Sequence, residues 1–510
     1  MKKIIMSSLI GIFFFYSLFA APSQAAAFSN VNEYIDNNLQ ETAQIEYNHL
    51  THLPILNYRG GVGAVEGVVA HETANDNSTI LGEIGWMSKN WQNAFVHAFV
   101  DDERIIEVHP TDYKAWGAGR YANERFIHVE LVRTHSFEEF ARSINNYAYY
   151  IARKLNAYDL KVINAETTGV GSLWSHYAVT RHLGGTTHVD PHGYFAKYGY
   201  NWNAFVELVN NKYHALQIDR ISGKTRYATA VAVSQRGWHQ SDTVILTRGD
   251  DYADALAGVP LAKKYDAPLL LTKSDQLTDV TQAEIKRLGA QTVYILGGEK
   301  AISSSVEATL KKMNINVQRL SGQSRTDTAI AIAEKLVAGA PVEKAVVVNG
   351  YNFPDALSVA AYAAAEGMPI LLTEGKTISR ATSALIDRLH VNQTYVIGGP
   401  LAVPKSIVES LPGAVRISGP TRYDTSIEVA EYFNLNTAQV YVTTGTQYPD
   451  AISGAALAAK EGSGVVLVGN HISESFKTHM RTHGITDPKI VGGKSSVGKQ
   501  LEEELIDLVK

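Results

Sequence analysis

The sequence predicts an α/β protein in two styles: a mixed-sheet domain flanked by helices, then three α/β repeats with mostly parallel sheets. Three observations carry this. Between residues 67 and 132, strand-like runs alternate apolar and polar residues around a hairpin turn. From 137 to 155, and again from 203 to 213, the apolar spacing becomes helical. Beyond Tyr213, three short signatures each occur three times at intervals of about 95 residues, as in a repeat array.

A chain of 510 residues exceeds a single core, and three to four domains are expected. Residues 1–27 read as a secretory signal. Lys2 and Lys3 give the charged start, Ile4 to Ala20 the apolar core, and Pro22 to Ala27 a small-residue processing site, with cleavage expected after Ala25 or Ala27. No other run approaches the roughly eighteen apolar residues that a membrane helix needs. After cleavage the protein is therefore expected to be exported, with no membrane span. The chain has no cysteine, so no disulfide framework is available, and a core of this size does not need one.

Residues 28–65 read as a helical lead-in, with short amphipathic turns at 31–35 and 43–47. Gly67 to His71 is an apolar strand ending on a histidine. Ala94 to Val100 and Arg104 to Val108 form a hairpin around Asp101-Asp102. Phe126 to Val132 is a further strand, with His128 and Glu130 on one face and Ile127, Val129 and Leu131 on the other. Phe137 to Leu155 is a helix covering the sheet, His176 opens a short helix, and Asn203 to Tyr213 closes the domain.

The densest chemistry lies in Gly171 to Phe195, where His176, His182, His188, Asp190 and His192 fall within seventeen positions. Histidine nitrogens and one carboxylate are donors that Zn²⁺ accepts when thiolates are absent. A catalytic zinc takes three protein ligands and keeps one open position, so a further ligand should come from elsewhere. His71, at its strand end, is the best candidate.

The set His71, Glu130, His176, His188 and Asp190, in the contexts VAHETA, HVEL, SHYAV and THVDPHGY, resembles the zinc-dependent N-acetylmuramoyl-L-alanine amidases. The likeness is to the amidase modules of large Gram-positive autolysins, in the fold group shared with peptidoglycan recognition proteins, and spans roughly residues 40–213. It implies Zn²⁺ held by His71, His176 and Asp190, Glu130 as general base, and His188 stabilising the oxyanion. Family-like segments make His97, Trp116 and Thr187 candidate substrate contacts. Many relatives carry a histidine where this chain has Gly117, a departure that bears on specificity rather than on the metal. Glu130 has a plainer reading as a strand glutamate facing solvent. His182 and His192 are read as non-ligands, and His109, His128 and His135 as ordinary polar residues.

The repeated signatures are Arg220 to Tyr227, Arg319 to Thr326 and Arg416 to Tyr423, then Tyr252 to Ala255, Phe353 to Ala356 and Tyr448 to Ala451, then Tyr294 to Gly298, Tyr395 to Gly399 and Lys489 to Gly493. No dinucleotide or phosphate-loop glycine pattern accompanies them. The repeated Asp254, Asp355 and Asp450 read as charges or caps at helix starts. The repeats resemble the type 2 cell-wall-binding repeats of Gram-positive surface proteins. That resemblance implies a pseudo-threefold arrangement and non-covalent attachment to an anionic wall polymer.

The expected domains are the signal at 1–27, the amidase domain at 28–214, and repeats at 219–312, 313–411 and 412–510. Residues 217–510 hold thirty Lys+Arg and thirty Asp+Glu, so bulk attraction to a polyanion is not encoded. The same neutrality argues against nucleic acid. Polymer binding would need local groups, and Arg226, Arg325 and Arg422 are the ones to test, against an alternative in which each pairs with its repeat's own Asp. The expected protein is a secreted autolysin acting on peptidoglycan, attached non-covalently to the cell wall. The rival readings are a non-catalytic peptidoglycan receptor, a surface adhesin and a phage endolysin.

Overall fold

The computed structural model describes residues 31–509 except 40, 253, 436 and 437, so the signal segment lies outside the described residues. The chain divides into two compact units, 1–216 and 217–510.

The first unit runs α1 (Val31–Asn38), β1 (Ile45–Tyr47), β2 (Gly67–Glu72), α2 (Ile80–Asn90), β3 (Ala98–Val100), β4 (Ile105–Glu107), α3 (Arg120–Asn123), β5 (Phe126–Leu131), α4 (Phe137–Ala157), β6 (Leu173–Ser175), α5 (His176–His182), α6 (His192–Lys197) and α7 (Trp202–Ala215). Its six-stranded sheet is ordered β1-β4-β3-β5-β2-β6 and is mixed, with β3–β4 the antiparallel hairpin. The lead-in departs from expectation, because Ile45–Tyr47 is an edge strand parallel to β4 rather than a helical turn. Three residues are too few to show a period, and only the neighbouring strand decides their conformation. Helix α4 begins with a capping box between Ser136 and Glu139. Its buried Tyr147 hydroxyl lies 2.9 Å from the carbonyl oxygens of His71 and of Val129, fixing β2 and β5 where they approach the histidines.

The second unit holds three four-stranded sheets, every pairing parallel. Its first third comprises β7 (Arg220–Ile221), α8 (Arg226–Gly237), β8 (Thr243–Arg248), α9 (Gly258–Lys264), β9 (Leu269–Thr272), α10 (Asp279–Leu288), β10 (Thr292–Leu296) and α11 (Ser304–Lys312). The second comprises β11 (Asn316–Leu320), α12 (Arg325–Val337), β12 (Lys344–Asn349), α13 (Phe353–Ala365), β13 (Ile370–Thr373), α14 (Arg380–Arg388), β14 (Gln393–Ile397) and α15 (Lys405–Glu409). The third comprises β15 (Ala414–Ile417), α16 (Arg422–Phe433), β16 (Gln439–Thr444), α17 (Pro449–Glu461), β17 (Gly464–Val468), α18 (Glu474–His483), β18 (Asp487–Val491) and α19 (Lys499–Val509).

The sheets are ordered β11-β10-β8-β9, β13-β12-β14-β15 and β17-β16-β18-β7. The strand that opens each sequence repeat therefore pairs into the sheet of the preceding repeat, and β7 joins the third, closing a ring. Helices α9, α13 and α17 pack together at the centre. Alanines at 360, 361, 363 and 364, and at 455, 456, 458 and 459, are buried there and let α13 and α17 approach closely. The rings of Tyr252, Phe353 and Tyr448 meet as a triangle, with centroids 5.4, 5.6 and 5.8 Å apart.

This ring explains the three signatures together. The first Arg of each first signature reaches the first glycine of a Gly-Gly pair in the preceding repeat. Arg319 Nη1 donates to Gly297 O at 2.8 Å, Arg416 donates to Gly398 O, and Arg220 Nη1 donates to Gly492 O at 2.8 Å. Those glycines have φ of 104°, 109° and 123°, and a Cβ there would fall 2.3 to 2.8 Å from a carboxylate oxygen of Asp254, Asp355 or Asp450. Glycine alone meets both demands. The second Arg of each first signature is neither free nor paired with its own repeat's Asp. Arg226, Arg325 and Arg422 donate to the carbonyls of Gly249, Gly350 and Gly445 at 2.5, 2.6 and 2.8 Å.

Asp355 and Asp450 are charges in the first turns of α13 and α17 rather than caps, whereas Asp254 precedes α9. Asp355 lies inside the first turn of α13 and is 6% exposed, and burial pushes its carboxyl up to about 6 against the opposing charge of Arg422. The folded carboxyl thus binds its proton more tightly than the unfolded one. Its contribution to stability is present below about pH 4 and is lost as pH rises through about 6. Between pH 4.5 and 7.5 the repeat unit of the Asp355→Asn protein should lose less stability than wild type, by about 2 kcal/mol, in urea titrations. Parallel curves would show that Asp355 is charged at no cost.

Candidate metal centre

Three adjacent parallel strands bring the chemistry together. In the β2–β5 register His71 faces Glu130, and in the β2–β6 register Ala70 faces Ser175. His71 and His176 are therefore the next residues along neighbouring strands. His71, Glu130 and His176 form a row at the carboxyl ends of β5, β2 and β6, the end of parallel strands where sites gather. His176 starts α5 because Ser175, its N-cap, accepts the Ala178 N–H at 2.9 Å. Asp190 arrives from the loop before α6. Its backbone carbonyl accepts the Tyr177 N–H, and its Oδ2 accepts the Glu72 N–H, both at 3.2 Å.

The donor atoms converge. His71 Nδ1 lies 2.9 Å from His176 Nδ1 and 3.6 Å from Asp190 Oδ2, while His176 Nδ1 lies 3.1 Å from Asp190 Oδ1. Ligand bonds of about 2.0–2.1 Å at tetrahedral angles would place donors about 3.3 Å apart, so this triangle has the dimensions of a tetrahedral metal site. The outer ring nitrogens have partners too: His71 Nε2 lies 3.0 Å from His128 Nδ1, and His176 Nε2 lies 2.9 Å from Thr186 Oγ1. Such partners fix ring orientation and tautomer. Burial, and then the neighbouring His176, press the His71 pKa down to about 4, leaving the neutral imidazole that a cation needs. Although burial opposes it, hydrogen bonds from His176 and His71 hold the Asp190 carboxyl well below the usual range. A single divalent metal ion fits this donor set.

Glu130 and His188 share the cleft with the triangle. Glu130 Oε2 is buried with no hydrogen-bond partner, and burial, followed by the charges of Asp190 and Glu72, raises its carboxyl well above the ordinary range. This is not a glutamate facing solvent. His188 is 70% exposed, stacks on the His176 ring at 4.7 Å, and has its Nδ1 3.8 Å from Asp190 Oδ1. The cleft holds about 270 Å³ and is completed by Trp86 and Met87 from α2, and by Phe95, Phe99 and Gly117. At Gly117 a Cβ would lie 3.1 Å from Val96, so the absent side chain keeps this wall low.

The other expected contacts are placed differently. His97 is fully buried: its Nδ1 accepts the His128 N–H at 2.9 Å, and its Nε2 lies 2.9 Å from Tyr113 O. Trp116 donates to Trp91 O at 3.1 Å and packs on Phe95 at 4.3 Å, outside the cleft lining. Thr187 is exposed outside the cleft lining, while its neighbour Thr186 is the residue that holds His176.

Two residues that sequence reasoning passed over matter here. His128 is the partner of His71, and its signal was its place on the same strand face as Glu130. Trp86 lines the cleft at 60% exposure, an apolar platform that no period announced. His128→Phe should weaken metal binding by about 10- to 100-fold, measured by competition with a chromogenic chelator. Unchanged affinity would show that His128 only fills space.

Residues 220–307, 319–408 and 416–502 match the family model described as cell wall binding domain 2. Residues 61–193 match the one described as N-acetylmuramoyl-L-alanine amidase. Protein Ami of Listeria monocytogenes is 56% identical over 209 residues, which are 41% of this chain and 23% of that protein. The bifunctional autolysin of Staphylococcus aureus is 52% identical over 185 residues, 36% of this chain and 15% of the autolysin. The chain thus spans less than a quarter of the length of these curated relatives. Among solved structures, Cwp8 from Clostridium difficile aligns with a TM-score of 0.54 and 27% identity, covering 60% of this chain and 54% of its own.

Proposed function

Because the chain belongs to the family built on cell wall binding domain 2, we propose that it is an N-acetylmuramoyl-L-alanine amidase held on the Gram-positive cell wall by its three repeats. The bond cleaved is the amide between the lactyl group of N-acetylmuramic acid and the L-alanine of the stem peptide. The protein is exported by its leader and attached non-covalently. No described helix is long and apolar enough to cross a membrane.

The observation that carries the catalytic reading is the His71–His176–Asp190 triangle sharing one cleft with Glu130. Zn²⁺ bound there would supply Lewis acidity toward the scissile carbonyl and lower the pKa of water. Glu130 takes the proton of the attacking water and passes it to the leaving amine, which its raised proton affinity suits. His188, stacked on His176 and lining the cleft, donates a hydrogen bond to the developing oxyanion. Trp86 and Phe95 offer apolar faces to the peptide or sugar. The anionic wall polymer would meet the repeats at local grooves such as the one lined by Asn352, Pro420 and Arg422.

The test is an assay of the full chain on muropeptides and purified walls, before and after chelation. New L-alanine amino groups without new reducing sugar ends, lost on chelation and restored by Zn²⁺, are the expected result. Wall binding without amine release would sink the catalytic reading and leave a receptor or adhesin.

A further inference from the structure

Each repeat packs two helices side by side, α8 with α10, α12 with α14, and α16 with α18, and each pair shares a polar contact. In the first repeat Glu284 of α10 takes Gln235 of α8 at 3.4 Å and Arg287 at 2.7 and 2.8 Å. In the second, Glu334 of α12 pairs with Arg388 of α14. Counted from the arginine that starts its helix, Glu431 of α16 occupies the position of Gln235 and Glu334. The groups facing it are unlike the others. His479 Nδ1 lies 2.6 Å from Glu431 Oε1, and His483 Nε2 lies 2.8 Å from Oε2.

The two histidines are four residues apart on α18, so one helical turn sets both imidazoles on the same face, with ring centroids 4.7 Å apart. One donor atom from each of the three residues lies within 4.8 Å of the others. A cavity of about 20 Å³, enough for one water or one ion, opens against both imidazoles and is also walled by Tyr362, Asn434 and Gln439. The His479 side chain is 8% exposed and His483 28%, whereas Glu431 at 42% has room to retreat the few tenths of an ångström that metal–ligand bonds require. A helix–helix ion pair needs one cation, as in the second repeat. Two imidazoles converging with a carboxylate, and bordered on the imidazole side by a water-sized cavity, are instead a donor set for a borderline divalent cation.

We propose that Glu431, His479 and His483 form a second zinc site, found among the described residues in the third repeat and not in the other two, that ties α16 to α18. It is separate from the amidase centre and needs none of its residues. Its fourth position is the cavity side, open to water.

The test is a zinc count on the full chain, stripped by chelation, dialysed against Zn²⁺ and washed. Wild type should hold two zinc ions, His71→Ala one, and His71→Ala combined with His483→Gln none. His483→Gln alone should keep one zinc and full amidase activity while losing the Zn²⁺-dependent rise in melting temperature of the repeats. Glu431→Gln, at an exposed position, should reproduce that loss with an unchanged circular dichroism spectrum, which guards against a folding defect. The proposal is overturned if the His71→Ala chain holds no zinc, or if its zinc survives His483→Gln or Glu431→Gln. Failure of the amidase reading would show as missing amine release or as loss of the His71-dependent zinc, neither of which touches the His483-dependent zinc, so the two readings are tested apart.

Discussion

Replacing Glu130 by Gln should lower kcat for muramoyl-peptide amide hydrolysis by about 10²- to 10⁴-fold, the usual contribution of a positioned general base. Bound metal and KM should stay close to wild type. The substitution keeps the side chain's shape and removes only its capacity to take a proton. The pairing of Glu130 with His71 across β5 and β2 is made by backbone register, so the donor triangle does not depend on its charge. The folded protein should not weaken either. The charged carboxyl is opposed by burial and by three acidic neighbours, Asp190, Glu72 and Glu83, and has one oxygen unpartnered, so a neutral amide carries none of that charge penalty. Paired measurements of turnover, metal content and melting temperature check this. Activity within a few-fold of wild type would make Glu130 a structural residue and leave the water without a base on this strand.

Arg220→Ala should destabilise the repeat unit by about 2 kcal/mol, since it breaks a largely buried charged group's bonds at the closure of the ring. Arg220 donates to Gly492 O at 2.8 Å and Val497 O at 3.1 Å, and pairs with Glu502 at 3.1 Å, with both side chains under 15% exposed. β7 has only two residues, so few other bonds hold it to β18. Arg319 makes the corresponding contacts one repeat on, with Gly297 O and Glu307. If the ring is one cooperative body, the Arg220→Ala/Arg319→Ala protein should lose less than the sum of the single losses, because the first break already opens it. Urea denaturation of the full chain, read on the repeat transition, distinguishes this from three independent repeats, for which the losses would add.

Much of this was legible in the sequence because local pattern decides it. An apolar run placed the strand that carries His71, alternation placed the one that carries Glu130, and helical spacing placed α4. Repetition exposed the three-part second unit. Where pattern was short or ambiguous, reading failed for identifiable reasons. Ile45–Tyr47 had too few residues to declare itself a strand. His97, Trp116 and Thr187 stood in suggestive segments, yet one is buried, one packs against Phe95 outside the cleft lining, and one is exposed outside it.

By itself, the sequence determined which elements form and which residue types carry chemistry, since both follow from spacing along the chain. Tertiary structure alone decided which nitrogens face one another. Register between parallel strands far apart in sequence set His71 beside Glu130 and His176, and burial then chose His128 as the partner of His71. The same holds for the repeats: each signature strand belongs in space to its predecessor's sheet. A parallel strand is joined to its neighbour through a long crossover, so nothing local in the chain fixes where it will pair.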